Sequence, residues 1–176
     1  VMTATPIPRT LTLTIYGDLD VSVLDELPAG RGQIVTGMRV KPKVTDVTRF
    51  LKEQLAEGRQ IYLVYPLVDE SGAVKAQSAA GEFEKWQKRL GGYEVGLLHG
   101  QMKPEEKDGV MTRFRENELQ ALVATTVVEV GVDVPNASVM VIYNAERFGL
   151  AQLHQLRGRI GRGEHKSYCI LVTDGK

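Results

Sequence analysis

Short runs of apolar residues alternate with segments of helical spacing along most of this chain. Phe50, Leu51 and Leu55 recur at helical intervals, whereas a continuous run such as 61–65 is typical of a strand that is covered on both faces. The pattern predicts strands at 34–40, 61–65, 95–98, 121–124, 139–143 and 168–172, and helices at 42–57, 82–90, 104–117 and 150–162. This alternation predicts a three-layer α/β/α domain with a mostly parallel sheet.

Two segments fall outside the alternation. Residues 1–31 contain early prolines and a Gly-Asp-Leu-Asp turn, which predict a partly extended connector, and the polar, small-residue stretch 69–80 predicts a loop. Ligands of parallel sheets bind beyond the carboxyl ends of the strands. We therefore expect the functional loops to be those that follow Tyr65, Leu98, Ala124 and Tyr143.

Composition and charge exclude several classes of protein. The chain has 176 residues, enough for one domain. Its 22 basic and 22 acidic residues cancel, which argues against a protein that coats DNA by net charge. Residues 145–176 are nevertheless locally basic. One cysteine, Cys169, lies in an apolar run, so we expect a buried thiol, no disulfide and, with three scattered histidines, no metal cluster. No apolar stretch is long enough to span a membrane, the start is not a signal peptide, and we expect a cytoplasmic location.

The sharpest motif is Gln-Leu-Arg-Gly-Arg-Ile-Gly-Arg at 155–162. Gln155, Arg159 and Arg162 are four and then three residues apart, so a continuous helix would place them on one face. Two glycines inside the motif are unusual in an ordinary surface helix. Because guanidinium binds phosphate bidentately and keeps its charge, this stripe predicts a phosphate contact. The alternative is a solvated basic helix face.

A second motif, at 124–135, directly follows a predicted strand. Thr125 and Thr126 offer hydroxyl and backbone N–H groups to phosphate oxygens, and Asp133, shortly after Gly131, offers a carboxylate to a ribose hydroxyl. A plain strand-to-loop transition with an aspartate turn explains the pattern equally well.

A third motif is the His99-Gly100 pair after the strand at 95–98, for which a loop leading into the helix at Pro104 is the stronger explanation. The sequence has no Gly-x-x-x-x-Gly-Lys-Ser/Thr loop to hold the β- and γ-phosphates of a nucleotide. An ATP site would therefore need its other half from a different domain.

Taken together, these motifs resemble those of superfamily 2 helicases. Thr3-Ala-Thr5 resembles motif III, 61–66 motif IV, 125–133 motif V and 155–162 motif VI. The opening Thr-Ala-Thr-Pro-Ile-Pro-Arg-Thr-Leu is shared by RecG-type helicases and transcription-repair coupling translocases, while the stretches 16–31, 97–104 and 144–154 resemble the RecG type. The resemblance covers nearly the whole chain and is weakest across 72–92.

The resemblance implies a RecA-like domain of the P-loop NTPase helicase C-terminal type. Residues 1–31 would then be the end of the first motor domain with the connector, and 32–176 the second motor domain, truncated before a helical hairpin. The resemblance further implies Arg162 as an arginine finger with Arg159 and Gln155 beside it, and Gly131 and Asp133 on the nucleotide. Thr3, Thr5, His99, Gly100, Thr125 and Thr126 would serve DNA contact or coupling.

The implied activity is ATP-driven translocation on branched or duplex DNA, with regression of stalled forks and migration of Holliday junctions. ATP with Mg²⁺ would be held mainly by the first motor domain, and a wedge domain would split the fork. Because the chain begins with Val rather than Met, we expect it to lie inside a longer protein. Two alternatives stay open: a transcription-repair coupling translocase, and a non-catalytic module that binds DNA or protein.

Overall fold

The computed structural model describes residues 32–66, 72–125 and 133–175, with the side chains of 72–78 outside that description. The described residues form six strands and four α-helices. The strands are β1 (Ile34–Val40), β2 (Gln60–Val64), β3 (Val95–Leu98), β4 (Ala121–Ala124), β5 (Ala137–Ile142) and β6 (Ser167–Thr173). The helices are α1 (Val44–Ala56), α2 (Gly72–Arg89), α3 (Pro104–Arg115) and α4 (Leu150–Arg157), with a short 3₁₀ helix at Ala145–Arg147.

The six strands form one sheet in the order β1-β6-β5-β2-β4-β3. Every strand pair in the described sheet is parallel. The predicted α/β class with a mostly parallel sheet is therefore confirmed. Among the described residues no helix is long and apolar enough to cross a bilayer.

The central strands are apolar on both faces because a helical layer covers each face. In β2, Tyr62 and Val64 face one layer and Ile61 and Leu63 face the other, and all four are at most 2% exposed. The first layer contains α3 and α4, which contribute Met111, Phe114 and Leu156. The second contains α1 and α2, which contribute Val47, Leu51, Leu55 and Trp86. Uninterrupted apolar strands are the sequence signature of this double coverage.

A buried amide connects the sheet to the loop between α3 and β4. Gln60 is fully buried, and its side-chain amide donates to the carbonyl oxygens of Phe114 and Leu119. The amide of Asn136, just before β5, donates to the Gln60 side-chain oxygen at 3.2 Å. Buried polar groups are costly unless they are hydrogen-bonded, and this side chain is bonded on both sides.

Two sequence predictions of local structure are wrong. Residues 69–80 were predicted as a loop, but α2 already begins at Gly72. Several alanines in this stretch favour a helix, and the helix is fixed further along by Trp86, whose indole N–H donates to the Tyr65 hydroxyl at 2.7 Å. The helix predicted at 150–162 ends at Arg157.

Candidate functional site

The arginine-containing loop begins where α4 ends. Gly158 caps the helix, and its N–H donates to the carbonyl oxygen of His154 at 3.1 Å. Ile160 is fully buried in the core beneath α4, and Gly161 has a φ of +73°. An L residue is unfavourable in this left-handed conformation, so the glycine allows the chain to turn away from the helix axis.

The predicted stripe on one helix face is therefore wrong. Gln155 lies exposed on α4, whereas Arg159 and Arg162 belong to the turn that follows it. Arg159 is half-buried, and the side chain of Arg162 is 34% exposed. The two arginines are brought together by the turn and by the buried Ile160 between them, not by helical periodicity.

Asp133 lies close to these arginines although it is distant in sequence. Its carboxylate is 3.6 Å from a guanidinium nitrogen of Arg162, and the Arg162 Nε donates to the Gly158 carbonyl oxygen at 3.3 Å. Burial raises the pKa of the Tyr62 hydroxyl, while the charges of Arg159 and Arg162 lower it and that of Asp133 raises it again. The charges of all three groups therefore influence one buried tyrosine of β2.

This group of residues, the arginine site (Asp133, Arg159, Arg162 and Tyr62), lies towards the amino-terminal ends of the strands. The backbone N–H of Gly32, just before β1, donates to the carbonyl oxygen of Gly163 at 2.9 Å. Asp133 comes just before β5. The expectation that the loops at the carboxyl ends would contain the whole site is thus wrong for the arginines.

A second group, the edge site (His99, Gly100 and Thr125), does lie at the carboxyl ends. Leu98 of β3 pairs with Ala124 of β4, and the Thr125 N–H donates to the Leu98 carbonyl oxygen at 3.1 Å. His99 and Thr125 thus follow adjacent strands.

Two polar atoms of the edge site are buried without a hydrogen bond. Within the described part of the chain, the Thr125 hydroxyl and the His99 Nδ1 are buried and have no partner. The loop that contains His99 is nevertheless fixed. The His99 N–H lies 3.4 Å from the Met102 sulfur, and Lys107 Nζ donates to the Gly100 carbonyl oxygen at 2.8 Å. Unpaired buried polar atoms are uncommon and often mark functional positions.

Four predicted site residues, Thr3, Thr5, Thr126 and Gly131, lie outside the described residues. Two residues that matter to the arginine site were missed. Tyr62 was included only in the apolar strand and in the stretch 61–66 that resembles motif IV, without a role of its own, and Gly32 was included in no motif. For Gly32 the only signal was a glycine just before a strand, which alone does not indicate what it touches.

Comparison with protein families decides what kind of domain this is. The model of the helicase conserved C-terminal domain matches residues 42–164. The chain belongs to this helicase C-terminal domain family. The matched region contains most of α1 to α4, the edge site and the arginine site.

The helicase domain is also similar to RecG-type helicases over nearly its whole length. It is 52% identical to the ATP-dependent DNA helicase RecG of Bacillus subtilis, covering 99% of this chain and 26% of that protein. It is 54% identical to RecG of Escherichia coli O157:H7, covering 98% of this chain and 25% of that protein. The predicted resemblance is confirmed, and the chain spans about a quarter of the length of these relatives.

Solved structures agree with the fold. A RecG structure bound to a three-way DNA junction superimposes with a TM-score of 0.79 at 49% identity, covering 97% of this chain and 22% of that one. Saccharomyces cerevisiae Dbp5, bound to RNA and ADP BeF3, gives a TM-score of 0.67 at 21% identity, covering 99% of this chain and 44% of that one. The second match shows the fold alone, and both confirm the predicted RecA-like helicase architecture.

Proposed function

We propose that this helicase domain is the second motor domain of a RecG-type ATP-dependent DNA helicase. In that role it moves double-stranded DNA, regresses stalled replication forks and branch-migrates Holliday junctions. The observation that supports the motor role is the arginine site, where the Arg162 guanidinium lies 3.6 Å from the Asp133 carboxylate and Arg159 belongs to the same turn after α4. The relatives named RecG are 50–54% identical to the chain, and this supports the choice of helicase type.

The residues of the arginine site fit one side of an ATP site. Guanidinium groups are the preferred protein partners of phosphate. The Arg162–Asp133 ion pair has a long separation of 3.6 Å between partly exposed groups, so it holds the arginine only weakly. ATP with Mg²⁺ supplies the phosphoanhydride bond that drives the motor. The complementary RecA-like domain would hold most of it, since this sequence lacks a phosphate-binding Gly-x-x-x-x-Gly-Lys-Ser/Thr loop.

In this proposal Arg162 acts as the arginine finger. Its guanidinium stabilises the charge that develops on the transferred phosphoryl group, an effect worth about 10³–10⁵ in rate. Arg159, which is half-buried, contacts the same phosphate, and Gln155 lies beside them at the end of α4. Asp133, together with Gly131, faces the nucleotide.

The experiment for this role is Arg162→Ala in the complete helicase. We expect DNA-stimulated turnover to fall by about 10³-fold or more, with the ATP dissociation constant nearly unchanged, because a finger acts on transition-state charge. Arg157→Ala is the matched control, since Arg157 is an exposed arginine at the end of α4. Turnover intact in Arg162→Ala, or an equal loss in Arg157→Ala, would refute the assignment.

We further propose that the edge site contacts the DNA backbone. The Thr125 hydroxyl, which has no hydrogen-bond partner in the part of the chain that the structure describes, would donate to a phosphate oxygen. His99, Gly100 and Thr126 would serve the same DNA contact, and Thr3 and Thr5 would couple the ATP state to it. Such contacts position DNA without reading its sequence. Thr125→Val keeps the shape of the side chain and removes the hydroxyl. DNA affinity should fall about tenfold or more, because a hydrogen bond to a charged group contributes about 1.5–3 kcal/mol.

The same substitution should leave the domain about as stable as before, since the hydroxyl has no hydrogen-bond partner among the described residues. Thr45→Val, at an exposed position of α1, is the control. Unchanged DNA affinity in Thr125→Val would remove the edge site from the DNA path.

The substrate class is tested with the complete protein on branched and linear DNA of equal length. The relative bound to a three-way junction leads us to propose faster turnover and remodelling on the branched substrate. Displacement of a stalled RNA polymerase with no preference for branched DNA would favour a transcription-repair translocase instead. The isolated 176-residue chain should hydrolyse no ATP above a contaminant control.

A further inference from the structure

The start of β1 is tied to the arginine-containing loop by backbone hydrogen bonds. The Gly32 N–H donates to the Gly163 carbonyl oxygen at 2.9 Å, and the Ser167 N–H donates to the Gln33 carbonyl oxygen at 2.9 Å. Gly163 directly follows Arg162 in the sequence. The position of the Arg162 backbone is therefore linked to a residue that precedes the first strand.

The contact at Gly32 leaves no room for a side chain. A Cβ at this position would collide with the carbonyl oxygen of His165 and would lie 2.8 Å from that of Gly163. Both obstacles are backbone atoms, which cannot rotate away as the end of a long side chain can. At Gly37, within β1, a Cβ would meet only the Arg39 guanidinium, at 3.7 Å.

Gly163 itself is also close-packed. A Cβ at Gly163 would lie 2.6 Å from the carbonyl oxygen of Pro135, a residue of the segment that leads from Asp133 into β5. The loop backbone therefore contacts both Gly32 and Pro135. Arg162 directly precedes Gly163, and Asp133 lies two residues before Pro135, so both charged residues are close in sequence to this contact.

We propose that Gly32 is a positioning residue for Arg162. Because Gly32 has no side chain, the loop backbone can lie in direct contact with it. This contact sets the position from which the Arg162 guanidinium reaches the phosphate. This inference rests on the proposed arginine-finger role. Displacement of a catalytic group by about 1 Å costs about 10²-fold in rate. A methyl group at position 32 forces a displacement of this order, since the atoms that it meets are backbone.

The test uses the complete helicase with Gly32→Ala, the control Gly37→Ala and Arg162→Ala. We expect Gly32→Ala to lower kcat about 10²-fold while the ATP dissociation constant stays within about threefold. Gly37→Ala should leave both unchanged. All rates are measured at saturating ATP and DNA, at a temperature where melting curves show each variant folded.

A double-mutant cycle separates positioning from general damage. If Gly32 acts through Arg162, adding Gly32→Ala to Arg162→Ala causes no further loss of rate. If the fold-losses of rate in the two single variants multiply in the double variant, Gly32 acts elsewhere and the proposal is overturned. A normal kcat in Gly32→Ala would overturn it as well.

A second variant covers the case in which Gly32→Ala does not fold. Gly163→Ala displaces the loop from the Pro135 side, and the same lack of additivity with Arg162→Ala is expected. Failure of both variants to fold would make these glycines purely structural and would overturn the proposal. Normal turnover in Arg162→Ala is a separate result, because it refutes the arginine-finger role while leaving the close contact itself in place.

Discussion

Gly161 is a position in the arginine-containing loop where an added methyl group should be strongly destabilising. Its φ is +73°, and a Cβ there would lie 2.6 Å from Ile34 Cγ1 and 2.8 Å from Ile34 Cδ1. The left-handed conformation costs an L residue about 1–2 kcal/mol. Forcing a methyl group into a packed side chain costs about 1–3 kcal/mol more. We therefore expect Gly161→Ala to lower the free energy of unfolding by about 2–5 kcal/mol.

The assay is urea unfolding of the 176-residue chain, followed by circular dichroism. For a domain of this size the loss corresponds to a fall in Tm of about 4–20 °C. Gly37→Ala is the control, because its Cβ would meet nothing closer than 3.7 Å. The control should change the free energy of unfolding by no more than about 0.5 kcal/mol.

The two contributions at Gly161 can be measured separately. Ile34→Ala removes both atoms that the new methyl group would meet. In the double variant the steric cost of about 1–3 kcal/mol should disappear, while the backbone cost remains. Equal destabilisation by Gly161→Ala and Gly37→Ala would refute the argument from φ and contact. Strictly additive effects of Gly161→Ala and Ile34→Ala would show that Ile34 is not the obstacle.

Three further predictions concern stability. Gln60→Ala should cost about 2–4 kcal/mol in urea unfolding, because it leaves two buried carbonyl groups without their donor, and a loss below 1 kcal/mol would contradict this. Asp133→Asn should change the free energy of unfolding by less than about 1 kcal/mol, since the pair with Arg162 is partly exposed; a larger loss would mean a stronger pair. Burial raises the pKa of the Cys169 thiol to about 11 from its usual 9.0, an effect that the charge of Arg157 partly offsets. The unfolded thiol therefore ionises first, the free energy of unfolding should fall between about pH 9 and pH 11, and a smaller fall in Cys169→Ala is the check.

The fold was predictable because it depends on a signal that is local in sequence. Each central strand is covered on both faces, so its residues are apolar without alternation, as 121–124 are. The start of α2 was missed because its first residues lack an apolar stripe and owe their helix to alanine content and to tertiary contacts such as Trp86 with Tyr65.

The arrangement of the arginine site was less predictable. The spacing of Gln155, Arg159 and Arg162 fits a helix, and only the intervening glycines hinted that the helix stops. Asp133 precedes β5 and Arg162 precedes β6, so the two residues meet because β5 and β6 are neighbours in the sheet. Sequence spacing does not indicate this strand order. Edge residues such as Thr125 were correctly placed, because they follow strands whose bounds were clear.

The arginine site combines a fixed backbone with a loosely held side chain, and the proposed role requires both. In this proposal, backbone contacts at Gly32 and Gly163 set the position of the Arg162 backbone. Its side chain is 34% exposed, and its guanidinium pairs with Asp133 at 3.6 Å, an interaction worth less than about 1 kcal/mol. If the ion pair were tightly buried, the arginine would not readily exchange the Asp133 carboxylate for a phosphate group. If the backbone were mobile, the guanidinium would lose the orientation on which transition-state stabilisation depends. We therefore expect the backbone at the glycine contacts to be rigid and only the Arg162 side chain to move. Substitutions at Gly32 and Gly163 should then alter kcat, whereas substitution of Asp133 should chiefly alter ATP affinity.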